Sequence, residues 1–470
     1  MSQTFMAFAL ILGIIIVLVS LFSFRRKASS SRIPKNEFDI TEERERAIDY
    51  MENTSESVLI TGRAGTGKSR LLDHFRKETK KKIVVLAPTG VAALNVQGQT
   101  IHSFFGFGID ITPNRVTSVE DQTTYKNLNA IIIDEISMVR ADLLDCIDIF
   151  LRLNGPSSSL PFGGIQVIFI GDLYQLPPIV KKEDEEWFYR YYTGSYFFYS
   201  RVFERGFTVK HIELTKNYRQ LDKDFTNVLD AIRLGTQNLN QLTVINQRYD
   251  PLYNDTKDDG AIHLKTTNEM ARNLNTLKLS QIKKTLFSFE AEVQGDWTEG
   301  DVGSEKFPAE KTLFLKVGAQ VMFLNNDSQN RWVNGDVGKV LGVGEDSNGV
   351  TLIRVILNGR IEYVGKHKWE KISFQYDEEL KDIQAEPVGV FVQYPLRLAW
   401  AVTIHKAQGK TFDKVVIDLG RGAFAKGQTY VALSRCRTLK GITLKRILED
   451  RDIMADTKIS EFLDQLDSPD

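Results

Sequence analysis

The sequence predicts an α/β protein with doubly wound parallel sheets, a small β-rich insert and one transmembrane helix at the N-terminus. A Gly-rich loop, Thr61–Ser69, lies between an apolar run and a run with helical character. Short apolar runs rich in β-branched residues alternate with helical patterns, which is typical of a parallel sheet covered by helices. Further along, Asn-Gly pairs separate alternating strands and indicate tight hairpins.

The composition fits a globular protein with more than one domain. A chain of 470 residues is too long for a single core, so roughly two to four domains are expected. The formal net charge is −1, so a nucleic-acid partner would need a local basic surface. The two cysteines, Cys146 and Cys436, are far apart and form no cluster with histidines. We therefore predict no zinc site and a reducing compartment.

The N-terminal run Phe5–Phe24 contains no charged residue and no proline. About 20 residues span a bilayer core of about 30 Å, so we predict a transmembrane anchor over residues 1–27 and a linker over residues 28–37. A buried core helix would show a polar side, and a signal peptide would show a basic start and a small-residue cleavage site. The basic run Arg25–Lys27 directly follows, which predicts a single-pass protein on the cytoplasmic face of a membrane, with its N-terminus outside.

The Gly-rich loop has the pattern G-x-x-x-x-G-K-S. Its glycines allow backbone N–H groups to point at phosphate oxygens, and the N-terminus of the next helix adds positive partial charge. In this pattern Lys68 reaches the β and γ phosphates and the Ser69 hydroxyl holds Mg²⁺. A chance Gly-rich turn would lack the flanking strand and helix. The predicted ATP-binding residues are Gly62, Arg63, Ala64, Gly65, Thr66, Gly67, Lys68 and Ser69.

Two acidic residues, Asp134 and Glu135, follow the apolar run Ala130–Ile133. Ligands of doubly wound sheets bind at the carboxyl ends of the strands. We expect Asp134 to help to hold Mg²⁺ and Glu135 to polarise the water that attacks the γ phosphate. The alternative, a strand that ends in solvated acids, is less consistent with the nearby phosphate loop.

The next apolar run, Gln166–Ile170, is followed by the loop Gly171–Pro178. Gln175 in this loop can orient water or report whether a γ phosphate is present. By itself Gln175 would be an ordinary loop residue, so its role depends on the blocks around it.

Several blocks carry a family resemblance: Ala87–Asn95, Thr100–Phe105, Ile133–Val139, Gly171–Pro178, Leu214–Gln220, Pro395–Thr411 and Gly427–Arg437. In order, spacing and identity they resemble the motifs of superfamily 1 helicases of the petite-integration-frequency (PIF) and RecD type. One position departs from the family. Arg44 stands where the family usually carries a glutamine that contacts adenine, and an arginine there can stack on the base.

The resemblance implies two RecA-like P-loop NTPase domains, with ATP bound between them. We predict the first domain over residues 38–210, and the second over residues 211–312 and 386–470. Residues 313–385 are predicted as an SH3-like β-barrel insert, which in the family helps to clamp single-stranded DNA. We expect residues 283–310 to form an irregular connection.

The predicted second domain is expected to complete the nucleotide site and the DNA site. Arg219 and Arg435 can bring positive charge to the γ phosphate, and with Lys68, Glu135 and Gln175 they form the predicted catalytic set. Thr403, His405 and Lys406 offer donors suited to a phosphate backbone. The predicted DNA-binding residues are Thr89, His102, Phe104, Pro177, Thr403, His405 and Lys406.

Three aromatic residues near these blocks, Phe104, Phe105 and Trp400, can stack on bases or belong to the core. For Trp400 the core is the preferred interpretation.

The resemblance implies an ATP-dependent DNA helicase that uses ATP with Mg²⁺, moves 5′-to-3′ on single-stranded DNA and unwinds duplexes and DNA junctions as a monomer. The membrane would be contacted through residues 5–24. Two alternatives stay open: an RNA-directed helicase, because residues that grip a backbone do not reveal the sugar, and another P-loop ATPase that remodels a protein partner. The late blocks and the β-rich insert argue against the second alternative.

Overall fold

The computed structural model describes residues 39–108, 110–220, 222–255, 260–297 and 307–468. Within these residues the first half of the chain contains a six-stranded parallel sheet with the spatial order β3-β2-β4-β5-β1-β6. The strands are β1 Val58–Gly62, β2 Ile83–Ala87, β3 Gln99–Thr100, β4 Ala130–Ile133, β5 Gln166–Gly171 and β6 Lys210–Leu214. Four of them, β1, β2, β4 and β5, follow the predicted apolar runs, because strands covered by helices on both faces need apolar residues throughout.

Helices cover both faces of this sheet. They are α1 Glu42–Asn53, α2 Lys68–Glu78, α3 Gly90–Asn95, α4 Ile101–Phe105, α5 Thr123–Asn127, α6 Ala141–Asn154, α7 Lys182–Tyr191 and α8 Arg201–Glu204. The alternation of strand and helix in β1–α2–β2 places the Gly-rich loop at the carboxyl end of β1, as the sequence predicts.

A second parallel sheet lies in the later part of the chain, with the order β18-β7-β19-β20. The later strands are β7 Ile262–Lys265, β8 Leu286–Glu290, β9 Glu292–Gly295, β10 Thr312–Lys316, β11 Gln320–Phe323, β12 Val337–Glu345, β13 Thr351–Leu357, β14 Arg360–Val364, β15 His367–Asp377, β16 Asp382–Gln393, β17 Leu396–Leu398, β18 Ala401–Thr403, β19 Val415–Asp418 and β20 Ile442–Leu444. The later helices are α9 Lys223–Leu234, α10 Leu239–Asn246, α11 Asn268–Gln281, α12 Gln428–Ser434 and α13 Thr457–Asp467.

Antiparallel strands interrupt the second half, which comprises the residues after β6. A five-stranded sheet has the order β14-β13-β12-β11-β17, and the long hairpin β15–β16 pairs with β9. The Asn358–Gly359 pair connects β13 to β14, with φ angles of 49° and 78°. Two consecutive left-handed residues are what a tight hairpin turn requires, so this predicted hairpin is confirmed.

The expected irregular connection at residues 283–310 is wrong over its first part. Strand β8 pairs with β10, and β9 pairs with β16, more than ninety residues later in the numbering. A local sequence pattern does not show pairing with a strand so distant in the chain. The charged residues in this segment therefore suggested an irregular connection instead of strands.

The β15–β16 hairpin also contacts the first half. The Phe374 N–H donates to the Gln99 side-chain oxygen at 3.1 Å, and the Tyr376 N–H donates to the Thr124 hydroxyl at 3.0 Å. The β-rich part is thus held against the first sheet as well as inserted in the second half.

The helix α13 returns to the first half and ends beside the phosphate loop. Phe462 stacks on Phe198 with ring centroids 4.3 Å apart. The Asp467 carboxylate lies 2.9 Å from His211 Nδ1, and His211 Nε2 lies 2.7 Å from the hydroxyl of Thr61, the first residue of the Gly-rich loop. The last described helix therefore supports the strands from which the loop begins.

Three parts of the chain meet at Lys410. Its ammonium donates to the Asn334 side chain from the β-rich part, and Asn334 donates to Asn95 Oδ1 on α3 at 3.1 Å. Burial, together with the nearby Arg397 charge, lowers the pKa of Lys410 to about 7.

The predicted membrane anchor needs correction. The predicted span Phe5–Phe24 lies outside the described residues. Throughout the part of the chain that the structure describes, no helix has both the length and the apolar character needed to cross a bilayer. The longest helices there, α6 and α11, have 14 residues and reach about 21 Å, short of a bilayer core. The prediction of a single-pass protein on the cytoplasmic face of a membrane is contradicted by this finding and is withdrawn.

Replacing Phe462 by alanine should weaken the attachment of α13 to the first half. Phe462 is half-buried, so the loss of its ring contacts should lower the free energy of unfolding by about 2 kcal/mol. Urea unfolding followed by fluorescence measures the change. The control is Phe424→Ala, because Phe424 is 63% exposed. Equal midpoints for the two variants would contradict this role of α13.

Replacing Lys410 by methionine should stabilise the protein in a pH-dependent way. Between pH 7 and 10.5 the unfolded chain keeps the lysine proton that the folded chain has released, so this group makes the wild-type fold more stable as pH rises. The advantage of Lys410→Met should therefore be largest near pH 7 and shrink towards pH 10. Thermal unfolding across this range measures it, with the exposed Lys414→Met as control. A gain independent of pH would contradict the burial of a titrating lysine.

Candidate active site

The Gly-rich loop connects β1 to α2 and closes under residues from the second half. Gly65 and Gly67 have φ angles of 93° and 86°, a region that favours glycine. A Cβ on Gly65 would lie 2.5 Å from Arg219 Cβ, so no side chain fits between the loop and that arginine. Both positions favour glycine because of their positive φ angles, and Gly65 is also required because Arg219 lies so close to it.

Lys68 begins α2 and folds back over the loop. Its ammonium donates to the carbonyl oxygens of Gly62 at 2.6 Å and Arg63 at 3.1 Å. Burial lowers the pKa of Lys68, while the carboxylates of Asp172 and Glu135 act in the opposite direction. Ser69, the next residue, is exposed at the head of the helix. The ammonium is therefore held at the loop among buried carboxyl groups.

Asp134 and Glu135 follow β4 and lie opposite the loop. Burial and the adjacent Glu135 raise the pKa of Asp134 to about 7, and burial also raises the pKa of Glu135. Glu135 has φ 51° and ψ 44°, a left-handed conformation that is strained for a residue with a Cβ. Its Oε2 accepts a hydrogen bond from Gln408 Nε2 of the second half at 3.2 Å. The predicted metal ligand and the predicted base are thus adjacent, and the base is in contact with the second half.

Gln175 is buried in the loop after β5. Its amide Nε2 donates to Asp172 Oδ2 at 3.0 Å. Burial acts to raise the pKa of Asp172, but the charges of Arg233 and Lys68 hold that pKa below its ordinary value. The orientation of Gln175 is therefore set by a charged carboxylate.

Arg219 and Arg435 bring guanidinium groups from the second half to this cleft. Arg219 Nη2 donates to the Gly409 carbonyl at 3.3 Å, while its buried Nη1 has no hydrogen-bond partner among the described residues. Arg435 is fully buried and donates to the Val431 carbonyl at 2.9 Å and the Ser434 hydroxyl at 2.8 Å. Burial lowers the pKa of both groups, and the Arg435 charge acts to lower the pKa of Glu135.

Arg44 lies against the phosphate loop. It is buried on α1 and its Nη2 donates to the Thr66 carbonyl at 3.1 Å. Its guanidinium also lies over the Tyr218 ring, 4.8 Å from the centroid. Arg44, which departs from the family pattern, thus contacts both the phosphate loop and an aromatic side chain.

The other predicted DNA-binding residues lie in loops at several strand ends. In the first half, Thr89 is exposed and accepts a hydrogen bond from the Ala92 N–H, and His102 and Pro177 are half-buried. In the second half, Thr403 is buried at the end of β18, and its hydroxyl accepts a hydrogen bond from the Lys406 N–H at 3.3 Å. His405 and Lys406 are half-buried in the turn that follows.

Phe104 does not lie where a base can reach it. It is 6% exposed and packs edge-on against Phe105 and Tyr125, with centroids 4.9 and 5.4 Å apart. On the short helix α4, Ile101, Phe104 and Phe105 share one face at helical spacing, and that face points into the core. The prediction that Phe104 contacts DNA is therefore wrong in this structure, whereas the core interpretation of Trp400 is confirmed.

Three residues near the cleft received no role from the sequence: Asp172, Arg233 and Tyr430. Asp172 and Tyr430 are inside the motif blocks, but nothing local shows that they meet. Arg233 follows Leu229 by four residues on the apolar face of α9, and a charge on a buried helix face is the available signal.

The family model for the PIF1-like helicase matches residues 39–243. The ATP-dependent DNA helicase Pif1 of Bdellovibrio bacteriovorus is 33% identical over 443 residues, which cover 93% of this chain and 94% of that protein.

Two solved structures of Pif1 from Bacteroides are also similar. The complex with ADP-AlF4 has a TM-score of 0.82 and 34% identity, covering 91% of this chain and 97% of that one. The complex with ADP-AlF3 and single-stranded DNA has a TM-score of 0.65 and 35% identity, with coverage of 91% and 97%.

These matches show an ATP-hydrolysing DNA helicase with the α/β fold of RecA-like domains. They cover nearly the whole of both chains, so the similarity is not confined to the phosphate loop. The chain belongs to the PIF1-like helicase family.

Proposed function

We propose that ATP hydrolysis at the Gly62–Ser69 loop drives this helicase 5′-to-3′ along single-stranded DNA, and that one chain suffices to open duplexes and DNA junctions. The observation that carries this proposal is the composition of the cleft. Lys68 and Glu135 come from the first half, whereas Arg219 and Arg435 come from the second. A triphosphate between them would favour the closed arrangement of the halves, and its hydrolysis would weaken it.

The nucleotide roles follow from the chemistry of each group. The loop N–H groups and Lys68 bind phosphate oxygens, for which the ammonium exchanges its present carbonyl partners. Glu135, with a pKa raised by burial, is suited to accept a proton from the attacking water. The buried Nη1 of Arg219, which lacks a partner among the described residues, is suited to a γ-phosphate oxygen.

Mg²⁺ fits the groups at the loop. The oxygens of Ser69 and Asp134 are hard ligands, and burial and the adjacent Glu135 raise the pKa of Asp134 more than the Lys68 charge lowers it, so a further cation beside Asp134 would be favourable. Ser69 and Asp134 would hold the ion, with phosphate oxygens and water as the other ligands. When bound, Mg²⁺ neutralises charge that develops on the phosphate oxygens.

The DNA would be gripped by both halves in turn. Thr89, His102 and Pro177 belong to the first half, and Thr403, His405 and Lys406 to the second; the buried hydroxyl of Thr403 supports the turn that carries the other two. Strands β10 to β15 support an SH3-like insert that clamps the strand. Because the cleft joins the halves, opening and closing would alternate the two grips.

Replacing Lys68 by alanine should lower DNA-stimulated ATP hydrolysis by on the order of 10²-fold or more, because a charged donor to the transferred phosphoryl group is lost. Phosphate release with and without single-stranded DNA measures the effect. The control is Lys77→Ala, an exposed lysine on the same helix. Hydrolysis that single-stranded DNA does not stimulate in the wild-type chain would overturn the proposed function.

Polarity can be tested with two substrates that share one duplex. The substrate with a 5′ single-stranded tail should be unwound in the presence of ATP, and the substrate with a 3′ tail should not. Strand displacement followed by fluorescence measures both, and an RNA tail of the same sequence tests the sugar. Preferential unwinding from the 3′ tail would reverse the proposed direction, and equal unwinding from the RNA tail would remove the preference for DNA.

A further inference from the structure

Asp172 is a fully buried carboxylate outside the predicted catalytic set. Its Oδ1 accepts a hydrogen bond from Arg233 Nε at 3.3 Å and lies 3.3 Å from Arg233 Nη2 in the same ion pair. Its Oδ2 accepts from Gln175 Nε2 at 3.0 Å and from the Tyr430 hydroxyl at 3.1 Å. A buried carboxylate is tolerated only when it is paired and hydrogen-bonded. The charge of Asp172 therefore depends on these three hydrogen bonds and on the ion pair with Arg233.

Two of the partners come from the residues after β6. Arg233 lies on α9 and Tyr430 on α12, and both are buried. The Arg233 guanidinium also lies over the Tyr174 ring, 4.5 Å from its centroid. The carboxylate of the first half is thus neutralised by a guanidinium that in addition contacts an aromatic ring of the first half.

The same two helices contact the phosphate loop. The Tyr430 hydroxyl accepts a hydrogen bond from the Ala64 N–H at 3.2 Å while it donates to Asp172. One turn before Arg233, Asp230 forms an ion pair with Arg63 of the loop at 2.5 Å. The loop, Gln175 and the second half are consequently joined through Asp172.

We propose that Arg233 is a positioning residue for ATP hydrolysis: through Asp172 it holds Gln175 and Tyr430 against the phosphate loop and so ties the state of the loop to the spacing of the two halves. The proposal rests on the proposed function. If α9 moves away from the first half, Asp172 loses its Arg233 partner, and the carboxylate that orients Gln175 is no longer held in place from the second half. Separation of the halves and reorientation of Gln175 should therefore occur together.

The test compares Arg233→Gln, which keeps an amide donor on a shorter side chain but removes the charge, with Arg233→Lys, which keeps the charge. The matched control is Arg272→Gln on the exposed face of α11. For each full-length variant we would measure the melting temperature, kcat and KM for ATP with single-stranded DNA, and base pairs opened per ATP hydrolysed. These readouts separate positioning from folding.

For Arg233→Gln we expect kcat to fall about tenfold or more, KM for ATP to change by less than about threefold, and fewer base pairs to be opened per ATP. Arg233→Lys should recover part of both losses. Asp172→Asn should cause a similar loss, and the double variant should be less impaired than the product of the single effects, because the two residues act as one unit.

Wild-type kcat and wild-type coupling in a folded Arg233→Gln protein would overturn the proposal. The proposal would also be overturned if the loss of kcat in Arg233→Gln matched the fraction of unfolded protein and if the double variant with Asp172→Asn showed the product of the two single losses. Failure of the proposed function is recognised separately, because it would show as wild-type protein without DNA-stimulated hydrolysis, and that result would overturn both.

Discussion

The cleft at the phosphate loop contains buried charges that neither parallel sheet balances by itself. The first half contributes the carboxyl groups of Asp134, Glu135 and Asp172 against one ammonium group, that of Lys68. The second half contributes the guanidinium groups of Arg233 and Arg435. A buried charge without a partner is costly, whereas a paired and hydrogen-bonded one is tolerated. Pairing of these buried charges therefore stabilises the contact between the two halves, and a change of charge in the cleft should alter that contact.

A hydrogen bond to Glu135 joins the cleft to the segment predicted to hold DNA. Gln408, which donates to the carboxylate of Glu135, follows His405 and Lys406 by a few residues in the same turn. Glu135 itself is held in a left-handed conformation, and such strain persists only where surrounding contacts maintain it. A displacement of the turn by a DNA strand would thus act directly on the side chain suited to activate water.

The site could be predicted best from the sequence where its function requires particular residue types at short spacing. The loop up to Ser69 and the acidic pair after β4 could be predicted because phosphate binding demands glycines, a lysine and carboxylates in a local order. The prediction failed for Phe104 and for the strands at residues 286–295. Burial of an aromatic ring and pairing with a distant strand both depend on partners that are remote in the chain.

By itself the sequence determined the family, the α/β class and the identity of most groups around the loop, because these are encoded in local patterns. Only the tertiary structure decided that Asp172, Arg233 and Tyr430 meet. Their contacts join positions up to 258 residues apart. Only the packing of α9 and α12 against the first sheet brings the donors to the buried carboxylate, and no local pattern records such a meeting.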